Sequence, residues 1–228
     1  GEIYNYQALK NELADKFHFR SQSDTEVFLV GLIKYGPNFQ LKCNGMWAFC
    51  LWDSEKNETL FGRDRFGKKP LFYAEFKGGL VFASEMKAMI KMLGKACPSN
   101  IVNKIFSGSN IFKFEYLETT VLKNVNKILP GHYGFYKNCI LEKYRWWCTL
   151  DHLVDVPKKY DDQVKIFREL LIDAVRIRMR SDVPIGTGLS GGLDSSSIVS
   201  VMKFIDNEKA NNLNSSSDWQ HCFCSSFS

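Results

Sequence analysis

The residues best suited to chemistry lie between positions 183 and 197, where an apolar run meets a loop of glycines and serines and then a helical pattern. Gly191 and Gly192 carry no side chains, so their N–H groups can approach an anion closely. The helix that follows presents the positive end of its dipole to the same place. Three serines of the loop add hydroxyl donors: Ser190, Ser195 and Ser196. This combination predicts a site for the phosphates of a nucleotide.

Other interpretations of this loop are open. A Walker-type loop needs a lysine after its last glycine, and no lysine lies between Ser181 and Val201. The segment 188–192 also satisfies G-x-S-x-G, which would make Ser190 the nucleophile of a serine hydrolase. That fold needs an acid and then a histidine downstream, and His221 is the one histidine that follows. A purely structural serine-glycine turn is a further alternative.

The segments around the loop predict a β-α-β unit. Apolar residues recur at helical spacing from 161 to 180, and again after the loop at Ile198, Val199, Met202 and Ile205. The polar segment 206–218 is predicted to be a surface connection. The aromatic run 219–227 is predicted to be the next parallel strand, which would place the loop at the carboxyl end of the preceding strand.

The first 150 residues predict a different architecture, with two helices followed by antiparallel hairpins. A helix from Tyr6 to Phe17 would be capped by Asn5, and a capping box at 23–26 would begin a helix that ends near Gly36. Strands are predicted at 46–52, 71–76, 80–83, 132–136 and 140–146. The first of these, apolar on both faces, should lie between two layers.

Turns are predicted between two pairs of these strands, at 77–79 and at 137–138. The sequence therefore indicates an α+β, layered antiparallel domain over 1–147, a linker over 148–160, and the start of an α/β parallel-sheet domain over 161–228.

Composition narrows the functional classes. The 228 residues carry a net charge of +5 and 45% hydrophobic residues, and their lysines are scattered among 25 acidic residues. The sequence has no stripe of basic residues interleaved with aromatics, the pattern typical of nucleic-acid binding. It also has no apolar run long enough to span a bilayer. We therefore expect a cytoplasmic protein with neither nucleic acid nor membrane as partner. The seven cysteines form no C-x-x-C pair and are expected to be buried thiols.

The whole string SGGLDSS, with SDVPIG upstream, resembles the pyrophosphatase loop of the asparagine synthetase family. Further matching segments lie in the same order as in that family: 1–5, 23–26, 45–49, 63–73, 82–85 and 129–131. The resemblance covers nearly the whole chain. It implies a class II glutamine amidotransferase domain with the four-layered Ntn-hydrolase fold, followed by the beginning of an ATP-pyrophosphatase domain.

The resemblance implies two coupled reactions. Glutamine would be hydrolysed to glutamate and ammonia, and the ammonia would attack the adenylate formed from aspartate and ATP, giving asparagine, AMP and pyrophosphate. The implied cofactors are ATP and Mg²⁺, with Asp194 near the metal. The implied ATP-binding residues are Leu189, Ser190, Gly191, Gly192, Leu193, Asp194, Ser195 and Ser196. Asp194 could equally be a first-turn aspartate that stabilises the helix dipole.

Glutamine-binding roles are carried over to three residues. By resemblance, the Gly1 N–H helps form the oxyanion hole, Glu2 helps hold glutamine, and Asp24 pairs with the α-ammonium group of glutamine. Asp24 at a helix start could also serve the helix alone. For Arg63 and Asp64, a structural salt bridge beside a turn is the expected role.

The chain departs from the family in its nucleophile. The family uses a cysteine at the mature N-terminus, whereas this sequence begins at Gly1, so no catalytic nucleophile is assigned. We expect this sequence to be a fragment without glutaminase or synthetase activity of its own. A related ATP-dependent amidotransferase or a β-lactam-synthetase-like enzyme that adenylates another carboxylate remains an alternative. The resemblance is compatible with a homodimer.

Overall fold

A computed structural model describes residues 1–15, 17–94, 97–106, 116–181, 183–210 and 219–225. The chain divides into two compact units, Gly1–Leu153 and Val154–Ser228. The boundary between them falls inside the segment predicted to be a linker, while the domain limits themselves stay a prediction. None of the described helices combines the length and the hydrophobicity that a bilayer span requires.

The first unit contains nine strands and four helices among its described residues. Its strands are β1 (Glu2–Ile3), β2 (Gly45–Met46), β3 (Ala48–Asp53), β4 (Glu58–Arg63), β5 (Phe72–Phe76), β6 (Gly79–Ala83), β7 (Asn126–Lys127), β8 (His132–Lys137) and β9 (Ile140–Arg145). Its helices are α1 (Tyr6–Ala14), α2 (Asp24–Tyr35), α3 (Met86–Leu93) and α4 (Ile101–Phe106). Short 3₁₀ helices span Gly36–Lys42 and Thr149–His152.

All strand pairs in this unit are antiparallel among the described residues. One sheet has the order β3-β4-β8-β9, a second has the order β6-β5-β7, and β1 pairs with β2. Side chains alternate between the faces of a strand, so each sheet can contribute to two cores. Along β4, Leu60 packs with the residues of α1 and α2, whereas Phe61 packs with the second sheet.

Three buried clusters fill the spaces between successive layers. The first core lies between α1, α2 and the four-stranded sheet, with Leu13, Phe28 and Phe39 at its centre. The second core joins the two sheets through residues such as Phe61 and Tyr73. The third core packs the outer face of the three-stranded sheet against Met89 of α3. The order helix, sheet, sheet, helix confirms the predicted layered α+β fold.

The two predicted helix starts differ in detail from the structure. Asn5 occupies the N-cap position of α1 without a side-chain cap; its amide instead donates to the Lys42 carbonyl oxygen at 2.9 Å. Ser23 does cap α2, because its hydroxyl accepts the Thr25 N–H. Glu26, however, does not return to Ser23, so the reciprocal capping box is wrong. The end of α2 at Gly36, whose φ is 62°, confirms the prediction.

The strand predicted at 46–52 is broken in the structure. Trp47 separates β2 from β3, and β2 turns to pair with β1. Its sheet does lie between two layers as predicted, with Phe49 against the helix core and Ala48 against the second sheet, but Trp52 is 56% exposed, so the cover on one face is incomplete. Cys50 on the same face is exposed as well.

The hairpins are confirmed, with one shift of turn. Lys77 and Gly78 both have positive φ, as a tight turn between β5 and β6 requires. The turn between β8 and β9 is centred on Asn138 and Cys139, one residue later than predicted. The expectation of buried thiols holds for Cys43 but is wrong for Cys50, Cys139, Cys222 and Cys224, which are exposed.

The second unit contains the predicted β-α-β arrangement. It consists of α5 (Tyr160–Arg178), β10 (Ile185–Gly188), α6 (Leu193–Ala210) and β11 (Gln220–Phe223). β10 and β11 are parallel, with Ile185 opposite Gln220, which confirms the predicted pairing. The helix continues past Asp206, so the predicted connection begins later. Its remainder at 211–218 and the final residues 226–228 lie outside the described residues.

Candidate functional site

The predicted glutamine-binding residues Gly1 and Glu2 lie against the backbone of residues 45–47. Glu2 pairs with Met46, and Ile3 pairs with Gly45. The approach is close, since a β-carbon on Gly45 would lie 2.1 Å from the Glu2 carbonyl oxygen. A β-carbon on Gly1 would lie 2.9 Å from the Met46 carbonyl oxygen. Only glycine fits at these two positions without displacing the chain.

Asp24 joins this group from the first turn of α2. Its Oδ2 accepts the Ile3 N–H at 2.8 Å, and the Thr25 hydroxyl donates to its Oδ1 at 3.3 Å. The carboxylate is half-buried and keeps lone pairs beyond those two bonds. The structure thus brings Asp24 next to the strand that carries Gly1 and Glu2, although 21 residues separate Ile3 from Asp24.

Glu26, the other acidic residue in the first turn of α2, organises the approach to the helix. Its carboxylate accepts the N–H groups of Arg20 and Ser21 at 2.9 and 2.8 Å, and the Ser21 hydroxyl at 2.6 Å. The Arg20 N–H and the other bonds hold the pKa of Glu26 below its usual value. Its role is therefore to shape the loop before Asp24.

Asp64 is the residue that sequence reasoning underestimated. Its side chain is 1% exposed, and its two oxygens accept four main-chain N–H groups. The donors, with their distances to the carboxylate, are Phe66 (3.1 Å), Lys68 (2.9 Å), Lys69 (2.9 Å) and Trp47 (3.2 Å). An aspartate three residues before Gly67 carries the signature of a turn, but the bond to Trp47 could not be foreseen.

Arg63 does not pair with Asp64, so the predicted salt bridge is wrong. Its guanidinium donates instead to three carbonyl oxygens, those of Lys69, Gly67 and Ile128, at 2.7, 2.6 and 2.7 Å. Burial lowers the pKa of this guanidinium. Carbonyl dipoles take the place of a carboxylate around the half-buried cation.

The second candidate site is the loop between β10 and α6 in the second unit. Because β10 and β11 are parallel, this loop lies at the carboxyl edge of the sheet, the edge where open α/β sheets bind ligands. Gly191 has a φ of 79°, a conformation that favours glycine, and a β-carbon there would meet open space. The loop is exposed, and Leu193 at the start of α6 is 87% exposed.

Hydrogen bonds within the loop occupy part of its donor groups. The Ser190 N–H donates to the Ser195 hydroxyl at 3.2 Å, and the two hydroxyls lie 3.1 Å apart. The first main-chain bond of the helix runs from the Ser196 N–H to the Gly192 carbonyl oxygen at 3.1 Å. The N–H groups before Ser196 precede this bond, as expected for the first turn of a helix. The Gly192 N–H donates to the Ser190 hydroxyl at 3.5 Å, so the candidate phosphate donors of this helix start are the N–H groups of Leu193, Asp194 and Ser195.

Two predicted residues of this loop have more limited roles. The Leu189 N–H is already donated to the Phe223 carbonyl oxygen at 2.8 Å, which leaves its own carbonyl oxygen for a ligand. Asp194 lies exposed in the first turn of α6. Its carboxylate is of the kind that Mg²⁺ binds together with substrate phosphates. Among the described residues, no cluster of three metal-ligating side chains exists.

The geometry does not support Ser190 as a hydrolase nucleophile. Its hydroxyl contacts Ser195 and the Gly192 N–H, neither of which is a general base. His221 lies opposite Gly186, four residues before Ser190 and therefore about 13 Å away along the strand direction. The serine hydrolase alternative thus lacks a base within reach in the described part of the chain.

Two family models match the chain in succession. Residues 1–147 match a model described as "Glutamine amidotransferase domain", and residues 166–227 match one described as "Asparagine synthase". The first match covers the antiparallel unit that holds Gly1, Glu2 and Asp24. The second covers the β-α-β unit with the glycine-serine loop.

Several curated proteins are similar over most of the chain. Asparagine synthetase (glutamine-hydrolyzing) 1 of Bacillus subtilis is 35% identical over 89% of this chain and 32% of its own length. Asparagine synthetase B (glutamine-hydrolyzing) of Escherichia coli is 34% identical over 89% of this chain and 31% of its own length. Amidase chry2 of Gibberella zeae is 32% identical over 90% of this chain and 30% of its own length. The chain thus spans about a third of the length of these relatives.

Among solved structures, a glutamine phosphoribosylpyrophosphate amidotransferase from B. subtilis matches with a TM-score of 0.45 and 17% identity. The match covers 89% of this chain and 42% of that one.

Proposed function

We propose that this chain, which belongs to the family of glutamine amidotransferase domains, is part of a glutamine-hydrolysing asparagine synthetase. Glutamine would yield glutamate and ammonia, and the ammonia would attack a β-aspartyl-adenylate made from aspartate and ATP. The products would be asparagine, AMP and pyrophosphate. The observation that carries this proposal is that two units follow each other in one chain. The first is a layered unit in which the Asp24 carboxylate lies beside β1, and the second is a parallel β-α-β unit with a glycine-serine loop.

In the proposed glutaminase site, three residues divide the work of binding. The Asp24 carboxylate holds the α-ammonium group of glutamine through a charge-assisted hydrogen bond. The Gly1 N–H stabilises the negative oxygen that develops on the amide carbon, and Glu2 helps to hold the substrate. The Ile3 N–H fixes Asp24 at 2.8 Å, so the carboxylate needs no reorganisation when glutamine binds.

In the proposed synthetase site, residues 189–196 bind ATP. The main-chain N–H groups in the first turn of α6 and the hydroxyls of Ser195 and Ser196 would bind the phosphates, while the Leu189 carbonyl oxygen would contact the nucleotide. Asp194 would hold Mg²⁺, which would neutralise phosphate charge that the neutral donors of the loop cannot offset. Adenylation then converts a poor leaving group into a good one.

The proposal is tested with the protein expressed from its complete coding sequence. Glutamine, aspartate and ATP with Mg²⁺ are supplied together, and glutamate, asparagine, AMP and pyrophosphate are quantified. We expect all four products, and we expect ammonia to replace glutamine as nitrogen donor. Glutamate release without AMP formation, or hydrolysis of ATP to ADP, would contradict the proposal.

A second candidate is a related ATP-dependent enzyme that transfers ammonia to another carboxylate. It is favoured by the similarity to a relative named as an amidase. Both candidates use the same loop, so the acceptor discriminates between them. Pyrophosphate release is measured with aspartate and with a panel of other carboxylates; release with another acid but not with aspartate would select the second candidate.

A further inference from the structure

Asp64 is a buried carboxylate to which neither proposed reaction assigns a role. Its side chain is 1% exposed, yet its four hydrogen-bond donors are all main-chain N–H groups. Its own main chain is equally occupied. The Asp64 N–H donates to the Trp47 carbonyl oxygen at 2.9 Å, and its carbonyl oxygen accepts the N–H groups of Gly67 and Gly131 at 3.1 and 2.9 Å.

Trp47 is therefore held by Asp64 at both of its main-chain groups. Its N–H reaches the carboxylate at 3.2 Å, and its carbonyl oxygen accepts the Asp64 N–H. These bonds occur at the residue where the chain leaves β2 and enters β3. Because Trp47 bonds to Asp64 at this junction, β2 is free to pair with β1 while β3 continues into the four-stranded sheet.

The backbone fixed in this way is the one against which the glutamine-binding strand rests. Gly1 lies so close that a β-carbon would approach the Met46 carbonyl oxygen to 2.9 Å and the Trp47 Cα to 3.1 Å. Glu2 pairs with Met46 in the β1–β2 ladder. A shift of Trp47 would therefore be transmitted directly to the Gly1 N–H and to Glu2.

We infer that Asp64 is a positioning residue for glutamine hydrolysis. It positions the Gly1 N–H through the main chain of Met46 and Trp47. The inference rests on the proposed glutaminase function. Asp64 touches neither substrate nor nucleophile in this scheme. The Trp47 N–H bond to the carboxylate and the Asp64 N–H bond to the Trp47 carbonyl oxygen set the path of the segment that supports the oxyanion-hole donor. The three other carboxylate bonds, to residues 66–69, hold the Asp64 side chain in place.

The substitution that isolates this role is Asp64→Asn. Asparagine matches the shape of aspartate but replaces one acceptor oxygen with an NH₂ donor, so two of the four N–H groups would face a donor. Misplacement by about 1 Å, or loss of one oxyanion-hole donor, lowers kcat by roughly 10²-fold. We expect Asp64→Asn to lower kcat for glutamine hydrolysis about 100-fold, with a smaller change in KM.

The experiment uses the intact protein and three readouts: kcat and KM for glutamine, ammonia-dependent product formation, and the thermal unfolding midpoint. The matched control is Met89→Ala, which opens the third core, on the outer face of the three-stranded sheet. We expect Asp64→Asn to lose glutamine-dependent kcat but keep ammonia-dependent synthesis within twofold. Met89→Ala should lower the thermal unfolding midpoint at least as much as Asp64→Asn does, and should keep kcat within threefold of wild type.

Three outcomes would overturn the inference: an Asp64→Asn kcat within threefold of wild type, a loss confined to KM, or an equal kcat loss in Met89→Ala. If Asp64→Asn does not fold, Gly45→Ala decides the question. A β-carbon at Gly45 would lie 2.1 Å from the Glu2 carbonyl oxygen and would displace the same strand with Asp64 intact. Gly45→Ala must then show the kcat loss, and an unchanged kcat would refute the inference. A wild-type enzyme that hydrolyses no glutamine would overturn the proposed function as well.

Discussion

Substitution of Gly191 by alanine tests the proposed phosphate loop at the position where its backbone has a positive φ. Gly191 has a φ of 79°, and a β-carbon there would meet no atom within 4 Å. The substitution therefore introduces no clash with other protein atoms, and its effect on the free loop comes from forcing an L-residue into the left-handed region. That cost is about 1–2 kcal/mol. If the free loop relaxes to avoid this cost, nucleotide binding must restore the strained conformation, and affinity falls by about 5- to 30-fold.

The assay is calorimetric titration of the intact protein with a non-hydrolysable ATP analogue and Mg²⁺, together with thermal unfolding. Gly188→Ala is the matched control, because that glycine also faces open space but has no positive φ. We expect weaker binding for Gly191→Ala, or a lower unfolding midpoint if the loop keeps its conformation under strain. Unchanged binding and stability in Gly191→Ala, or equal loss in Gly188→Ala, would refute the assignment of this loop.

Three further predictions concern the first unit. Asp24→Asn should raise KM for glutamine about 10- to 150-fold, the value of a hydrogen bond to a charged group, and a change below twofold in steady-state kinetics would contradict the site. Gly31→Ala places a β-carbon 2.1 Å from the Phe39 ring and should lower the free energy of unfolding by about 1–3 kcal/mol. In denaturant titration Gly79→Ala, whose nearest contact would be 3.8 Å, serves as its control. Burial raises the pKa of Cys43 to about 12 from an ordinary value of 9.0. The stability from its neutral thiol is therefore complete below pH 9 and lost toward pH 12, and unfolding midpoints of wild type and Cys43→Ala at pH 8 and 10 should differ in slope.

Periodicity and turn chemistry predicted the elements whose stability is local. The helix that ends at Gly36 and the hairpin at Lys77 and Gly78 follow from the preference of glycine for positive φ and from apolar spacing. The parallel pairing of β10 with β11 was likewise predicted, because a strand, a helix and a second apolar run leave few other arrangements.

Features that depend on distant partners were not predictable. Asn5 was expected to cap α1, but its side chain binds the main chain near Lys42, 37 residues away. The strand containing Trp47 was expected to be continuous, but it is interrupted by bonds to a residue 17 positions later. Sequence spacing within one element carries no information about such contacts.

Gly1, Glu2 and Asp24 could be proposed as one glutamine site from the sequence only through family resemblance. No local pattern indicates that Asp24 would meet the Ile3 N–H, since each residue also fits an ordinary structural role. The glycine-serine loop, by contrast, can be proposed as a phosphate site from its own chemistry, because glycines, hydroxyls and a helix start lie within one short segment.

The side chains of Arg63 and Asp64 fix the path of the main chain from Phe66 to Lys69. Asp64 binds three of its N–H groups, and Arg63 binds two of its carbonyl oxygens. Every one of these bonds ends on main chain, so the side chains of the segment are not part of the scaffold. Outward-facing residues such as Phe66, which is 63% exposed, should accept replacement freely, and this short stretch is accordingly a suitable place to attach a spectroscopic label.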